Sequence, residues 1–104
     1  MPPTDDRILT LHPEGKQGVR IERSKYDAVR DALRELVPTT EEGIALKAVR
    51  ERLPAALERR KFPREASVGW YLIAVKQDLE ARGELEIVPG ARPQHLRRRS
   101  EGER

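Results

Sequence analysis

The stretch Leu79-Glu80-Ala81-Arg82-Gly83-Glu84-Leu85-Glu86-Ile87-Val88-Pro89-Gly90 carries most of the information about the fold. It begins in a helix predicted over residues 67–82, which Gly83 ends because glycine readily takes the left-handed conformation of a helix stop. Residues 84–88 then alternate as in a strand, and Pro89-Gly90 suits the centre of a type II turn. Residues 94–98 return as an antiparallel partner, so the pattern predicts a helix that leads directly into a β-hairpin.

Two further helices are predicted upstream of this stretch. The first covers residues 24–37, where Ser24 is placed to cap the opening turn and a proline follows the last residue. The second runs over residues 45–53, with apolar residues at helical spacing, and Pro54 interrupts it or starts a new turn. Ile44 predicts a brief extended contact just before this second helix.

The remaining segments are an N-terminal hairpin and two tails. Apolar residues on both sides of a turn with one proline and two glycines predict a β-hairpin over residues 7–22. The expected organisation is a flexible leader over residues 1–6, a single domain over 7–99 and a disordered tail over 100–104.

The order helix, short extended contact, helix, helix, two-stranded hairpin resembles the winged helix-turn-helix superfamily. The resemblance covers residues 24–98 and rests on Ile44 and on the passage from Leu79 to Gly90. It implies an α+β fold of three helices with a C-terminal β-hairpin wing, to which the N-terminal hairpin is an addition. It also implies binding of double-stranded DNA, as in a small transcriptional regulator or accessory protein, with the third helix in the major groove.

Charge is distributed unevenly along the 104 residues. The chain has 21 Lys+Arg and 18 Asp+Glu, a net charge of +3, but residues 45–65 alone hold seven basic and three acidic residues. Such a cluster can bind DNA phosphates without reading sequence, although it could also be a solvated surface balanced by its own glutamates. The phosphate contacts predicted here are Lys47, Arg50, Arg59, Arg60 and Lys61.

The third predicted helix lacks the charge expected of a helix that reads bases. Its two basic and two acidic residues cancel. At about 100° per residue, the side opposite its inner apolar stripe presents Gln77, Trp70 and Ile73. This helix is therefore expected to offer DNA no more than Lys76 and Gln77.

Trp70 and Ile73 form a candidate interface, because a large apolar side chain on an outward face needs a cover. The N-terminal hairpin, a second subunit or a stacked nucleic-acid base could supply that cover. Cover by a second subunit would give the chain an alternative function. The chain would then be a non-catalytic protein-interaction or homodimerisation module on the same winged-helix fold.

The C-terminal hairpin offers a second basic region. Arg92 at its tip and Arg98 in its returning strand are the predicted wing contacts with DNA. A hairpin centred on residues 90–91 would neutralise much of the remaining basic run through cross-strand ion pairs. The expected pairs are Glu86 with Arg97 and Glu84 with Arg99.

Residue types that carry catalysis are scarce. The chain has no cysteine, which excludes disulfides and thiol chemistry. His12 and His95 lack metal-ligand spacing, and residues 15–18 lack the spacing of a phosphate loop. We therefore predict no catalytic, metal or cofactor site. No membrane span or secretory signal is visible, so a cytoplasmic, non-enzymatic protein is expected.

Overall fold

A computed structural model describes residues 6–64 and 66–99 of the chain. The predicted leader, apart from Asp6, and the predicted tail lie outside these residues. Within the described part, the chain is a small α+β fold with three helices and two antiparallel sheets. The elements are β1 (Arg7–Leu9), β2 (Arg20–Glu22), α1 (Arg23–Leu36), β3 (Ile44–Ala45), α2 (Leu46–Glu58), α3 (Val68–Arg82), β4 (Leu85–Ile87) and β5 (His95–Arg98).

The predicted N-terminal hairpin is present. β1 and β2 pair antiparallel with Ile8 opposite Ile21, and the Thr10 N–H donates to the Val19 carbonyl at 2.9 Å. A Cβ on Gly18 would lie 1.8 Å from the Thr10 carbonyl oxygen. Only glycine fits at this point, because the two backbones approach too closely for any side chain.

α1 begins and ends one residue earlier than predicted, and Ser24 does not cap it. β2 runs directly into the helix, so the N-cap residue is Glu22, which makes no side-chain cap hydrogen bond. Ser24 lies inside the first turn instead. The cap prediction is wrong because the preceding strand determines where the helix starts.

β3 supplies the extended contact predicted at Ile44, but α2 does not stop at Pro54. The helix continues through this proline to Glu58, although an interior proline costs about 3 kcal/mol or more. Leu53 and Leu57 are at most 1% exposed. Buried contacts on both sides of the proline therefore hold α2 together, and the prediction of an interruption is wrong.

Both predicted ends of α3 are confirmed. The Ser67 side chain accepts a hydrogen bond from the Trp70 N–H at 3.4 Å, and Gly83 ends the helix with φ of 84°. The predicted inner stripe includes Leu72 and Val75, which are fully buried. This side of α3 packs against α1 and α2.

The second sheet has the strand order β3-β5-β4, so the strand before α2 pairs with the last strand of the chain. A Cβ on Gly43, just before β3, would lie 2.1 Å from the Leu96 carbonyl oxygen of β5. The predicted type II turn follows β4. The Ala91 N–H donates to the Val88 carbonyl at 3.4 Å, and Gly90 has φ of 77°.

One of the two predicted cross-strand ion pairs is present. Glu86 lies opposite Arg97, and their side chains are paired. Arg99 also lies opposite Glu84, since its N–H donates to the Glu84 carbonyl at 3.0 Å. The Glu84 carboxylate, however, binds Arg34 of α1 at 2.6 Å, so the sheet is tied to α1 and this second pairing prediction is wrong.

Candidate nucleic-acid interface

Basic side chains from α2 and from the loop between β4 and β5, here called the wing, form a cationic surface. Lys47 and Arg50 are exposed about one turn apart on α2, and Arg92 is exposed in the wing. The Leu46 N–H donates to the Gln94 carbonyl at 2.9 Å, which holds the first turn of α2 against the wing. Among residues 6–64 and 66–99, none of these three cations has an ion-pair or hydrogen-bond partner. We call Lys47, Arg50 and Arg92 the α2–wing surface.

Two arginines at the other end of α2 already share one carboxylate of α1. Arg60 binds Glu35 of α1 at 2.9 Å, and Arg59 binds the second oxygen of the same carboxylate. Arg60 also donates to the Ala56 carbonyl at 2.8 Å. The hydrogen bond from Arg60, followed by the attraction of both guanidinium groups, lowers the pKa of Glu35. Two of the predicted phosphate contacts are therefore engaged within the protein.

Lys61 and Arg98 are also predicted to contact DNA, and their surroundings differ from each other. Lys61 is exposed immediately after α2 and has φ of 58°, a conformation unusual for a residue with a side chain. Arg98 is half-buried, and its Nε donates to the Val37 carbonyl at 2.6 Å. Arg98 thus closes a contact between β5 and the end of α1 rather than extending into solvent.

The two residues predicted to approach DNA from α3 are both at least partly buried. Lys76 is 7% exposed, and its ammonium group binds Glu80 one turn away at 2.5 Å. Its aliphatic stem follows the buried side of the helix, as long basic side chains often do. Gln77 is half-buried and faces the N-terminal hairpin. Within the described residues, the outer face of α3 offers no unpaired cation.

The N-terminal hairpin lies beside the outer face of α3 without covering it. Trp70 remains 47% exposed, and Ile73 is also exposed. Leu11 and Val19 of the hairpin are exposed beside them, and all four side chains border one hollow of about 140 Å³. We call Leu11, Val19, Trp70 and Ile73 the hairpin–α3 patch.

Asp78 anchors the hairpin to the helices, and sequence reasoning missed it. Its side chain is fully buried and accepts hydrogen bonds from the Leu11 N–H at 2.8 Å, from Arg82 Nε at 2.9 Å and from the Tyr26 hydroxyl. The available signal was its position beside the inner stripe of α3. The charge pattern alone identifies Asp78 only as one of the two acidic residues that cancel the two basic residues of α3.

Burial and the Asp78 carboxylate together change the acidity of Tyr26. Desolvation is the larger cause and the hydrogen bond to Asp78 the second, and they raise the pKa of Tyr26 to about 12. The same carboxylate raises the pKa of Arg82. The cluster therefore keeps Tyr26 protonated and Arg82 charged at every physiological pH.

The two histidines are held in turns. His12 Nδ1 accepts a hydrogen bond from the Glu14 N–H at 3.1 Å, and His95 Nδ1 lies 2.7 Å from the Pro93 carbonyl oxygen. No group of three His, Asp or Glu side chains in the described part of the chain could hold a metal ion. No helix in that part is long and apolar enough to cross a membrane.

Comparison with protein families places the chain in one of them. Residues 7–96 match the model of DUF6958, a family of unknown function. The match covers most of the chain, including the N-terminal hairpin, all three helices and the start of β5, so the chain belongs to this family. Neither the curated proteins nor the solved structures contain a match to this chain.

Proposed function

We propose that this chain is a non-catalytic winged-helix module that binds double-stranded DNA through phosphate contacts of the α2–wing surface. The observation that carries the proposal is the accessibility of Lys47, Arg50 and Arg92, which have no partner among the described residues. A small transcriptional regulator or accessory protein in the cytoplasm would use such a surface.

The arrangement of elements supports the winged-helix part of the proposal. A strand before the second helix pairs with the last strand, and a hairpin follows the third helix directly. This matches the order helix, strand, helix, helix, hairpin on which the resemblance rests. Fold alone does not establish function, so the proposal depends on the surface and not on the topology.

The charges along α2 favour its first half as the contact with phosphate. Residues 47–52 contain Lys47, Arg50 and Arg52 against Glu51, and all four are exposed. At the far end of α2, Glu35 holds the two adjacent arginines. A phosphate backbone that crosses the first turns of α2 and the wing would meet cations that no described carboxylate already binds.

The outer face of α3 supports sequence-independent binding. Direct readout in the major groove needs donors and acceptors such as arginine, asparagine or glutamine on the inserted helix. Here that face presents Trp70 and Ile73, and the N-terminal hairpin stands beside it. We therefore propose contacts to phosphates, which position a protein on DNA without reading bases.

A salt series with random-sequence duplex tests the proposal. Each neutralised phosphate contributes about −0.9 to the slope of log K against log salt, so three cations predict a slope of about −3. Lys47→Glu should weaken binding at low salt and make the slope shallower by about 1. Fluorescence anisotropy with a labelled duplex measures both quantities.

Lys16→Glu is the matched control, because it changes the net charge equally at the exposed hairpin turn. It should leave the slope unchanged. No binding of duplex at low salt, or equal effects of the two substitutions, would reject the α2–wing surface as the DNA contact.

A further inference from the structure

An open hollow lies where α2 ends and α3 begins, and DNA binding by the α2–wing surface leaves it unused. Its volume is about 680 Å³, within the range of about 300–1,000 Å³ that is usual for small-molecule sites. Its lining includes buried or half-buried apolar side chains and exposed charged ones. The apolar residues are Leu57, Phe62 and Val68, and the charged residues are Glu58, Lys61 and Arg64. We call these six residues the α2–α3 hollow.

The apolar lining is fixed by the way in which α2 ends. The Phe62 N–H donates to the Leu57 carbonyl at 3.2 Å, and the Lys61 N–H donates to the Glu58 carbonyl at 3.1 Å. These are the two hydrogen bonds of a Schellman helix stop. The Phe62 ring also packs edge-to-face on Tyr71 of α3, with ring centroids 5.2 Å apart. The surface is therefore preformed, which lowers the entropic cost of binding a ligand.

Lys61 takes the position in this helix stop that glycine usually occupies. Its φ of 58° lies in the left-handed region, which costs stability for a residue with a Cβ. Residues held in such conformations cluster at functional sites. A glycine would end α2 with less strain but would carry no ammonium group, so the helix stop alone does not explain a lysine here.

The charged side of the hollow is cationic. Lys61 is exposed and has no ion-pair or hydrogen-bond partner among residues 6–64 and 66–99. Arg64 lies 3.8 Å from the Glu58 carboxylate, and the two side chains are 89% and 72% exposed. Water screens an ion pair of this kind, so it is weak. The hollow therefore offers an anion one unpaired cation and a second cation that is loosely held.

The combination of apolar lining and unpaired charge indicates the class of ligand. A neutral apolar group would leave the Lys61 ammonium without a partner, and a phosphate backbone would leave the apolar lining uncovered. A small organic anion with a carboxylate at one end and an apolar ring at the other uses both parts of the hollow.

We propose that the α2–α3 hollow binds a small organic carboxylate, whose apolar body covers Leu57, Phe62 and Val68 and whose carboxylate pairs with Lys61. Arg64 adds a second positive charge beside the same ligand. The proposal does not depend on DNA binding, because the hollow and the α2–wing surface share no residue.

Three probes separate the contribution of charge from that of the apolar body. They are phenylacetate, its neutral analogue phenylacetamide, and acetate, each titrated to about 10 mM, a range that covers millimolar dissociation constants. In NMR spectra of the labelled protein, phenylacetate should shift the amides of Lys61, Phe62 and Val68. Phenylacetamide should bind about fivefold more weakly, since it lacks the exposed ion pair, and acetate should leave these amides unshifted. Equal affinity for phenylacetate and phenylacetamide, or no phenylacetate shifts at these amides, would overturn the proposal.

Lys61→Gly removes the ammonium group and relieves the left-handed conformation. It should bind phenylacetate about fivefold more weakly, while its midpoint of chemical denaturation does not fall, so that lost binding is not lost folding. Lys61→Arg should retain the affinity. Lys47→Ala is the matched control, because it removes one exposed lysine charge near the start of α2. Equal weakening by Lys61→Gly and Lys47→Ala would indicate an effect of net charge and reject the site.

Duplex DNA is tested as the alternative partner of Lys61, which is also a predicted phosphate contact. If duplex at low salt displaces phenylacetate, and Lys61→Gly weakens duplex binding as much as Lys47→Glu does, Lys61 belongs to the DNA contact and the proposed carboxylate site is wrong. Unchanged phenylacetate binding in Lys47→Glu, together with unchanged duplex binding in Lys61→Gly, would instead confirm that the two sites are separate.

Discussion

Two carboxylates, Glu35 and Asp78, each bridge distant parts of the chain, but their surroundings are opposite. Glu35 lies on the surface and joins α1 to the two arginines after α2. Asp78 is fully buried and joins α3 to α1 and to the N-terminal hairpin. Each binds arginine, yet only Asp78 also accepts hydrogen bonds from neutral donors, which are the buried Tyr26 hydroxyl and the part-buried Leu11 N–H.

The difference indicates what each carboxylate contributes. An exposed ion pair stabilises a protein by about 1 kcal/mol at most, because water solvates the separated charges well. Removal of a buried carboxylate leaves its donors without partners in a medium that cannot replace them. Glu35 should therefore control which cations are available to a ligand, whereas Asp78 should control whether the hairpin stays in place.

The largest expected effect is that of Asp78→Ala. It leaves the Leu11 N–H and the Tyr26 hydroxyl unpaired, so we expect a loss of about 3–5 kcal/mol in the free energy of unfolding. Chemical denaturation measures this loss, and faster hydrogen exchange at the Leu11 amide would locate it at the hairpin. Asp27→Ala removes an exposed carboxylate from α1 and should cost less than about 1 kcal/mol. Similar losses in the two variants would show that burial of Asp78 does not matter.

The second expected effect is a loss of stability in alkali that depends on Tyr26. The folded protein raises the pKa of Tyr26 from 10.0 to about 12, so the folded state holds this proton more tightly than the unfolded state. The resulting contribution is fully present below pH 10 and is lost as pH rises from 10 to 12. Because Tyr26 is 3% exposed, the loss amounts to about 2–3 kcal/mol.

Unfolding measured at several pH values between 9 and 12 would test this expectation. Tyr26→Phe is the control, since it keeps the ring and removes the ionisable hydroxyl, while lysine deprotonation affects both proteins alike. The wild type should lose stability more steeply than the variant above pH 10. Parallel curves would contradict the link between burial of Tyr26 and its pKa.

The smallest effect on stability is expected for Glu35→Gln, which should nevertheless change binding. We expect a change of less than about 1 kcal/mol in the free energy of unfolding. Release of Arg59 and Arg60 should tighten duplex binding and steepen the salt slope by up to about 2. Asp31→Asn removes one exposed charge from the same helix without freeing these arginines. An equal increase in affinity for both variants would indicate a simple effect of net charge.

Local signals in the sequence predicted much of the fold. Ser67 and Gly83 were assigned correctly as the two ends of α3 because each acts within one turn of its own position. The predicted position of Glu86 opposite Arg97 is confirmed, although the two strands are centred between residues 91 and 92 rather than on residues 90–91. Ser24 and Pro54 were misjudged because β2 and the buried residues of α2 override the local preference.

The site was harder to predict than the fold, since it depends on contacts between distant residues. The sequence shows that basic residues are concentrated over residues 45–65. It does not show that Glu35 pairs with Arg59, because the two lie 24 residues apart. Likewise, 52 residues separate Tyr26 from Asp78. No periodicity within one helix reports such pairings, so the sequence showed where charges are concentrated but not which of them remain accessible.

The close approaches at Gly18 and Gly43 also bear on how the family can vary. At these positions a methyl group would lie 1.8 Å and 2.1 Å from a backbone oxygen of another strand or segment, which the chain could relieve only by moving its backbone. We therefore expect these two glycines to be conserved within the family, even where surface lysines and glutamates are substituted. They are fixed points by which a distant relative with the same hairpin and sheet could be aligned, even after the functional surfaces have diverged.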